Sequence, residues 1–211
     1  MKVILVNGSP HEKNSTFTAL HVMAEQFQKE GIDTEIFWIG NKPLNGCIGC
    51  KACAKLSRCV FQDKVNEFTA KAKNADGFIF ASPVHYASAS GSMTSFMDRA
   101  FYSEFVGDQN QAFYLKPAAA VSVARRAGSV TTYDQMNKYF GLHQMPIISS
   151  TYWNLVYGTN PEEILQDVEG CRTLRTLARN MAYFIKCQQV AQQAGVQLPE
   201  AEKPVFMNFI R

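Results

Sequence analysis

Residues 2–7 (Lys-Val-Ile-Leu-Val-Asn) form an unbroken apolar run closed by Gly8, the pattern of a strand covered on both faces in a parallel sheet. Turn and capping residues fill 9–16. Phe17, Leu20, Ala24 and Phe27 then recur at helical spacing up to Gly31. Residues 34–39 read as a second strand, so 2–39 make a βαβ unit. A long irregular loop follows, then a helix at about 64–73 and a third buried strand at 77–81. A loop of small residues at 83–91 leads into a helix carrying Met93, Phe96, Met97 and Phe101. A fourth strand is expected at 117–123, a helix at about 131–140 and a fifth strand at 146–150. Apolar positions spaced three and four apart predict one long helix over 161–194. The alternation predicts one doubly wound α/β domain of five parallel strands, over 1–190. A tail at 191–211 closes the chain. Its last residues are apolar, which suits docking on the body or on a partner subunit.

Composition narrows the class. The chain has 211 residues, 46% hydrophobic and 18% charged, which are globular values with enough length for a sizeable core. A net charge of +3 without a basic stripe argues against a nucleic-acid surface. No run is apolar for the length that a membrane span needs. The first apolar run is too short for a secretory signal, so a cytoplasmic protein is expected. Fifteen Phe and eight Tyr suit a flat cofactor, a large core or a subunit interface equally.

Chemistry concentrates in four places. Cys47, Cys50, Cys53 and Cys59 form a C-x2-C-x2-C-x5-C run, a thiolate cluster of the kind that binds metal or does redox chemistry in a reducing compartment. Three loops would lie at the carboxyl ends of strands, where doubly wound sheets bind ligands. The first, with Ser9, His11, Ser15, Thr16 and Phe17, runs into a helix amino terminus. It suits a phosphate, or Ser and Thr simply cap the helix there. It carries neither G-x-G-x-x-G nor the P-loop Lys. The second, with Pro83, Val84, His85 and Tyr86, offers an aromatic among small residues against which a flat ring can lie. The third, from Ser122 through Arg125 and Arg126 to Gly128, offers backbone donors and two guanidinium groups that would stabilise electron density on a reduced ring. Cys171 and Cys187 fall on the long helical pattern and read as small buried hydrophobes.

Taken together, residues 7–10 (Asn-Gly-Ser-Pro), the cysteine run, residues 75–86 and residues 96–99 (Phe-Met-Asp-Arg) resemble the NAD(P)H-dependent FMN reductase family, and more closely its iron–sulfur flavoprotein branch. The resemblance covers roughly 1–190. It implies a flavodoxin-like fold with strand order 2-1-3-4-5, FMN at the three loops, and a dimer or tetramer. It also implies electron transfer from NAD(P)H to a quinone, flavin, azo or nitro compound, or a redox protein. The rival activity in that branch is an electron carrier between ferredoxin and FMN. Carried over by position, Ser9, Ser15 and Thr16 would hold the phosphate. Pro83 to Tyr86 would border the ring, and Ser122 to Gly128 would close its far side. The family often has Arg where this chain has His11, and Lys where it has Thr94. In the iron–sulfur branch a cysteine run of this form ligates one [4Fe–4S] cluster. Redox-active free thiols and a four-thiolate zinc site are the alternatives.

Overall fold

The computed structural model describes residues 1–107 and 110–200, with Glu202, Val205, Met207 and Phe209 of the tail. The first half follows the expected alternation: β1 (Lys2–Asn7), α1 (Ser15–Lys29) and β2 (Asp33–Trp38). Within the cysteine loop a single turn, α2 (Cys53–Leu56), precedes α3 (Lys64–Ala72) and β3 (Gly77–His85). A two-residue β4 (Ser88–Ala89) leads into α4 (Gly91–Gly107), and β5 (Ala118–Ala124), α5 (Ser129–Leu142) and β6 (Leu155–Tyr157) complete the sheet. Then come α6 (Pro161–Gln166) and α7 (Val168–Gln193).

The parallel strands lie in the order β2-β1-β3-β5-β6, with β4 folded back on β3 as a short antiparallel hairpin. This is the expected fold with the expected order. Both faces of the sheet are covered, and side chains alternate between them with period two. Val3, Leu5, Ile79, Ala81, Ala119 and Val121 join α1, α6 and α7 in one core. Ile4, Val6, Phe78, Phe80, Ala118 and Ala120 join α3, α4 and α5 in the other. That second layer absorbs much of the aromatic supply. Phe68 lies 5.5 Å from Phe37 and 5.1 Å from Phe96, and Phe101 stacks on Phe113 at 4.4 Å.

Three expectations need correction. The fifth strand is not at 146–150 but further along the chain, at β6. Residues 146–148 touch β5 only at its lower end, through an isolated bridge from Ile147 to Ala118. Between the two contacts the chain leaves the sheet, and Asn154 fills the gap. Its Nδ2 donates to the Ala120 carbonyl at 3.0 Å, and its own carbonyl accepts from Ser122 N–H at 3.0 Å. The predicted 161–194 helix is broken at Asp167, whose carboxylate caps the second piece by accepting from Gly170 N–H at 2.8 Å. It also accepts from Tyr157 N–H at 2.8 Å, which ties the break to the end of β6. A methyl on Gly170 would lie 2.4 Å from an oxygen of that capping carboxylate, so any larger residue there would displace the cap. Cys187 is exposed rather than buried, while Cys171 lies in the core as expected.

Much of the predicted tail lies outside the described residues. Of its described part, Val205, Met207 and Phe209 are exposed, and Tyr114 donates to the Pro199 carbonyl at 3.4 Å. Among the described residues no helix is long and apolar enough to cross a membrane.

Candidate functional site

The three predicted loops converge. The first leaves β1 at Gly8, whose N–H donates to Ala81 O at 2.9 Å and whose carbonyl accepts from Ser90 Oγ at 2.8 Å. A Cβ at Gly8 would lie 2.9 Å from Met93 Sδ and 3.0 Å from that Ala81 carbonyl, so backbone approach this close needs glycine. Asn7 then curls the loop, accepting from Ser9 N–H and donating to Glu12 O, each at 3.0 Å. Trp38 pins it from the side by donating to Ser9 O at 2.9 Å. His11 is exposed, and its N–H donates to Ser9 Oγ at 3.1 Å.

The helix cap is Asn14, whose carboxamide oxygen accepts from Ser15 N–H at 2.9 Å. Ser15 and Thr16 are therefore first-turn residues rather than caps. Their hydroxyls are not needed to close the helix end, and the N–H groups of Thr16 and Phe17 have no preceding helical carbonyl to bond. No acidic residue occupies the first turn, so the positive end of the helix dipole is left uncompensated. This donor set fits a phosphate.

The second loop is tighter than predicted. β3 runs on to His85 and reverses through Tyr86 and Ala87, both at positive φ (50° and 57°). Two successive left-handed residues make the mirror-image turn that hairpins favour, normally supplied by Asn-Gly. Holding it with Tyr and Ala stores strain, which the surroundings must fix. Gln135 of α5 does so: its Oε1 accepts from Ser88 Oγ at 2.6 Å and from Ala89 N–H at 2.9 Å. Its Nε2 donates to Thr94 Oγ1 at 3.4 Å. Tyr86 and His85 are exposed at the tip, and Pro83 and Val84 are half-buried behind it.

The third loop touches the second. Gly128, at φ +92°, lies so close to the hairpin that a Cβ would sit 2.5 Å from Ala87 Cα and 2.9 Å from Val84 Cγ1. Arg125 and Arg126 are exposed beside it. Ser122 is fully buried, and its Oγ has no hydrogen-bond partner among the described residues. It therefore lies beneath the loop, not on its surface. Between the exposed side chains of His85, Tyr86, Arg125 and Arg126, the glycine at 128 lets the hairpin and the third loop pack closely, a place where a flat ring could approach the main chain.

The cysteine loop lies alongside α4, with Gly46 reaching Ser95. Cys47, Cys50, Cys53 and Cys59 all line one hollow, walled by Val60, Phe61, Arg99 and Tyr102. Cys47 and Cys50 are exposed, Cys59 is half-buried and Cys53 is buried. Lys51 and Ser57 take positive φ (55° and 52°), which lets so short a run wrap around the hollow. Burial pushes the Cys53 thiol up, and Cys50 and Cys47 add to the shift. Among the described residues no three His, Cys, Asp or Glu side chains converge on a single ion position. A cubane places its four thiolates on four different irons, so it asks for a ring of cysteines around a space rather than convergence on a point. The donor set fits that demand.

Sequence reasoning missed Asn14 and Gln135, and it met Arg99 only as the end of the 96–99 motif, without a role at the cysteine hollow. Asn14 was visible in principle, since Asn ranks at the top for capping. Arg99 left a signal too, as a charge three residues after Phe96 in an apolar stripe. Gln135 left none.

Comparison with known proteins bears on the family and on the fold. The model of the family described as NADPH-dependent FMN reductase matches residues 1–160. An iron–sulfur flavoprotein of Methanocaldococcus jannaschii is 32% identical over 191 residues, covering 88% of this chain and 98% of the relative. Among solved structures, RosB with a bound intermediate aligns with a TM-score of 0.67 at 15% identity, covering 100% of this chain and 94% of that one. A flavodoxin from the domain Archaea aligns with a TM-score of 0.58 at 14% identity, covering 88% and 99%. The fold is flavodoxin-like.

Proposed function

The chain belongs to the NADPH-dependent FMN reductase family and is a flavin oxidoreductase, and on that premise we propose that it holds FMN together with a [4Fe–4S] cluster. In this reading NAD(P)H is the reductant, and a quinone, flavin, azo or nitro compound, or a redox protein, is the acceptor. FMN bound at the three loops would supply hydride acceptance and onward transfer of electrons, singly or in pairs. The chain's own residues do the positioning. Ser15, Thr16 and the α1 amino terminus would hold the phosphate, with Ser9 shaping the loop that leads there. The Val84–Ala87–Gly128 contact would border the ring, and Arg125 or Arg126 would offset negative charge at its edge. Cys47, Cys50, Cys53 and Cys59 would hold the cluster.

One observation carries the reading: a single helix joins the two sites. α4 begins directly after the hairpin at Gly91 and presents Arg99 to the cysteine hollow eight residues on, a rise of roughly 12 Å at about 1.5 Å per residue. Exposure of Cys47, Cys50 and Ile48 at the mouth of the hollow favours a second reading, an electron carrier that meets a ferredoxin-type partner on the cysteine side. We also propose a homodimer or homotetramer, in a reducing, cytoplasmic compartment where the thiols stay available to iron.

Anaerobically purified protein should contain one FMN and about four iron per subunit, in proportion to a site of four cysteines. Rapid bleaching of the flavin by NADPH or NADH supports the reductase. Bleaching by reduced ferredoxin alone supports the carrier. Recovery of FAD, or of no flavin after reconstitution, would overturn both.

A further inference from the structure

Among the described residues Arg99 is the largest fully buried side chain, 1% exposed. A cation that deep must be matched, and Asp63 matches it with a forked pair at 2.7 and 2.9 Å. The carbonyls of Asn45 and Phe61 accept further bonds at 3.3 and 3.5 Å, and the guanidinium carbon lies 4.8 Å from the Phe61 ring centre. Asp63 is fixed as well, because its carboxylate caps α3 by accepting from Val65 N–H. One donor is left over. Arg99 Nε points at Cys59 Sγ, 3.2 Å away. For stability alone a buried ion pair is often no better than an apolar pair of the same volume, so stability gives little reason to place it here. Among the described residues no other cysteine of the run accepts a side-chain N–H.

We propose that Arg99 is a positioning residue for the iron–sulfur centre: it orients Cys59 as a ligand and raises the potential of the cluster. This rests on the reading that the four cysteines hold a cluster. Reduction adds one negative charge to a centre that already carries four thiolates. A fixed cation in its wall stabilises that reduced form, and an N–H bond to a ligand sulfur withdraws density from it. Asp63 acts in the opposite sense, because its charge offsets part of the guanidinium's field. The Asp63–Arg99 pair thus sets the potential as a difference between two opposed charges, a fully buried cation and a carboxylate whose side chain is 29% exposed.

Arg99→Gln, Arg99→Lys and Asp63→Asn are compared with the unmodified protein after anaerobic reconstitution. Iron content is measured, and the cluster is titrated potentiometrically by electron paramagnetic resonance. Loss of the cation in Arg99→Gln should lower the cluster midpoint. Loss of the opposing charge in Asp63→Asn should raise it, while Asn still caps α3. Arg99→Lys, which keeps the charge but not the planar donor, should fall between Arg99→Gln and the unmodified protein. Opposite shifts from the two halves of one ion pair would not arise from loosened packing. Iron bound in full with the same midpoint in all four proteins overturns the inference and leaves the cluster reading intact. Absence of iron from the unmodified protein overturns both. Should Arg99→Gln fail to fold, Asp63→Asn decides: an unchanged or lowered midpoint overturns the inference.

Discussion

Asn14, Ser15 and Thr16 divide the work at the start of α1 in a way that three adjacent polar residues do not announce. Any of them can close a helix end, and only the backbone decides which stands outside it. Asn14 takes the extended conformation and the capping bond, which leaves two hydroxyls in the first turn. Replacing Ser15 and Thr16 together by Ala should weaken FMN binding by about 1–3 kcal/mol, since hydroxyl bonds to phosphate oxygens are charge-assisted. Fluorescence titration of the apoprotein with FMN measures it. Because Asn14 keeps the cap, the FMN-free variant should fold, its thermal unfolding lowered only by what the buried Thr16 side chain contributes to packing. Unchanged affinity would leave the phosphate to backbone donors alone.

Elements were legible where the pattern was local. The buried strands β1, β3 and β5 and the helices α1 and α3 carry their own period, and the structure returns them nearly where they were expected. The misplaced fifth strand has a physical cause. Residues 146–150 are as apolar as a buried strand, but hydrogen bonding is a property of the neighbour. β5 accepts this segment only at Ala118, then pairs with β6 from Ser122 onward. Asn154 bridges the interval, and no apolar pattern encodes a side-chain amide standing in for a strand. The break at Asp167 was hidden likewise, because helical period continues through it while the carboxylate starts a new helix. Asn154→Ala should cost about 1–3 kcal/mol by leaving the Ala120 carbonyl buried and unsatisfied. Chemical denaturation measures this. A loss below a few tenths of a kcal/mol would mean that the main chain holds the interrupted edge without it.

Across the whole molecule, what sequence spacing could not convey is that the hairpin, the Gly128 turn and the cysteine hollow are tied together around α4. Gln135, Gly8 and Arg99 make those ties, and each contacts residues remote in sequence. One edge of the sheet is open. β6 is an edge strand of only three residues, and Tyr152, Trp153 and Tyr157 around it are 56%, 48% and 41% exposed. Tyr152 and Trp153 pack edge-on at 4.8 Å, so they present a preformed aromatic surface rather than two loose side chains. Ile147, bridged to the start of β5, is exposed as well, at 42%. An exposed edge flanked by aromatics is a surface that a second copy can cover symmetrically. The protein should therefore sediment as a dimer or tetramer at micromolar concentration. Tyr152→Ser with Trp153→Ser should shift it toward the monomer while leaving the far-ultraviolet circular dichroism unchanged. Truncation after Leu198 then asks whether the tail contributes. If the double variant keeps its mass and the truncation yields monomer, the tail and not the β6 edge joins the subunits. A monomer before any substitution would sink the assembly itself.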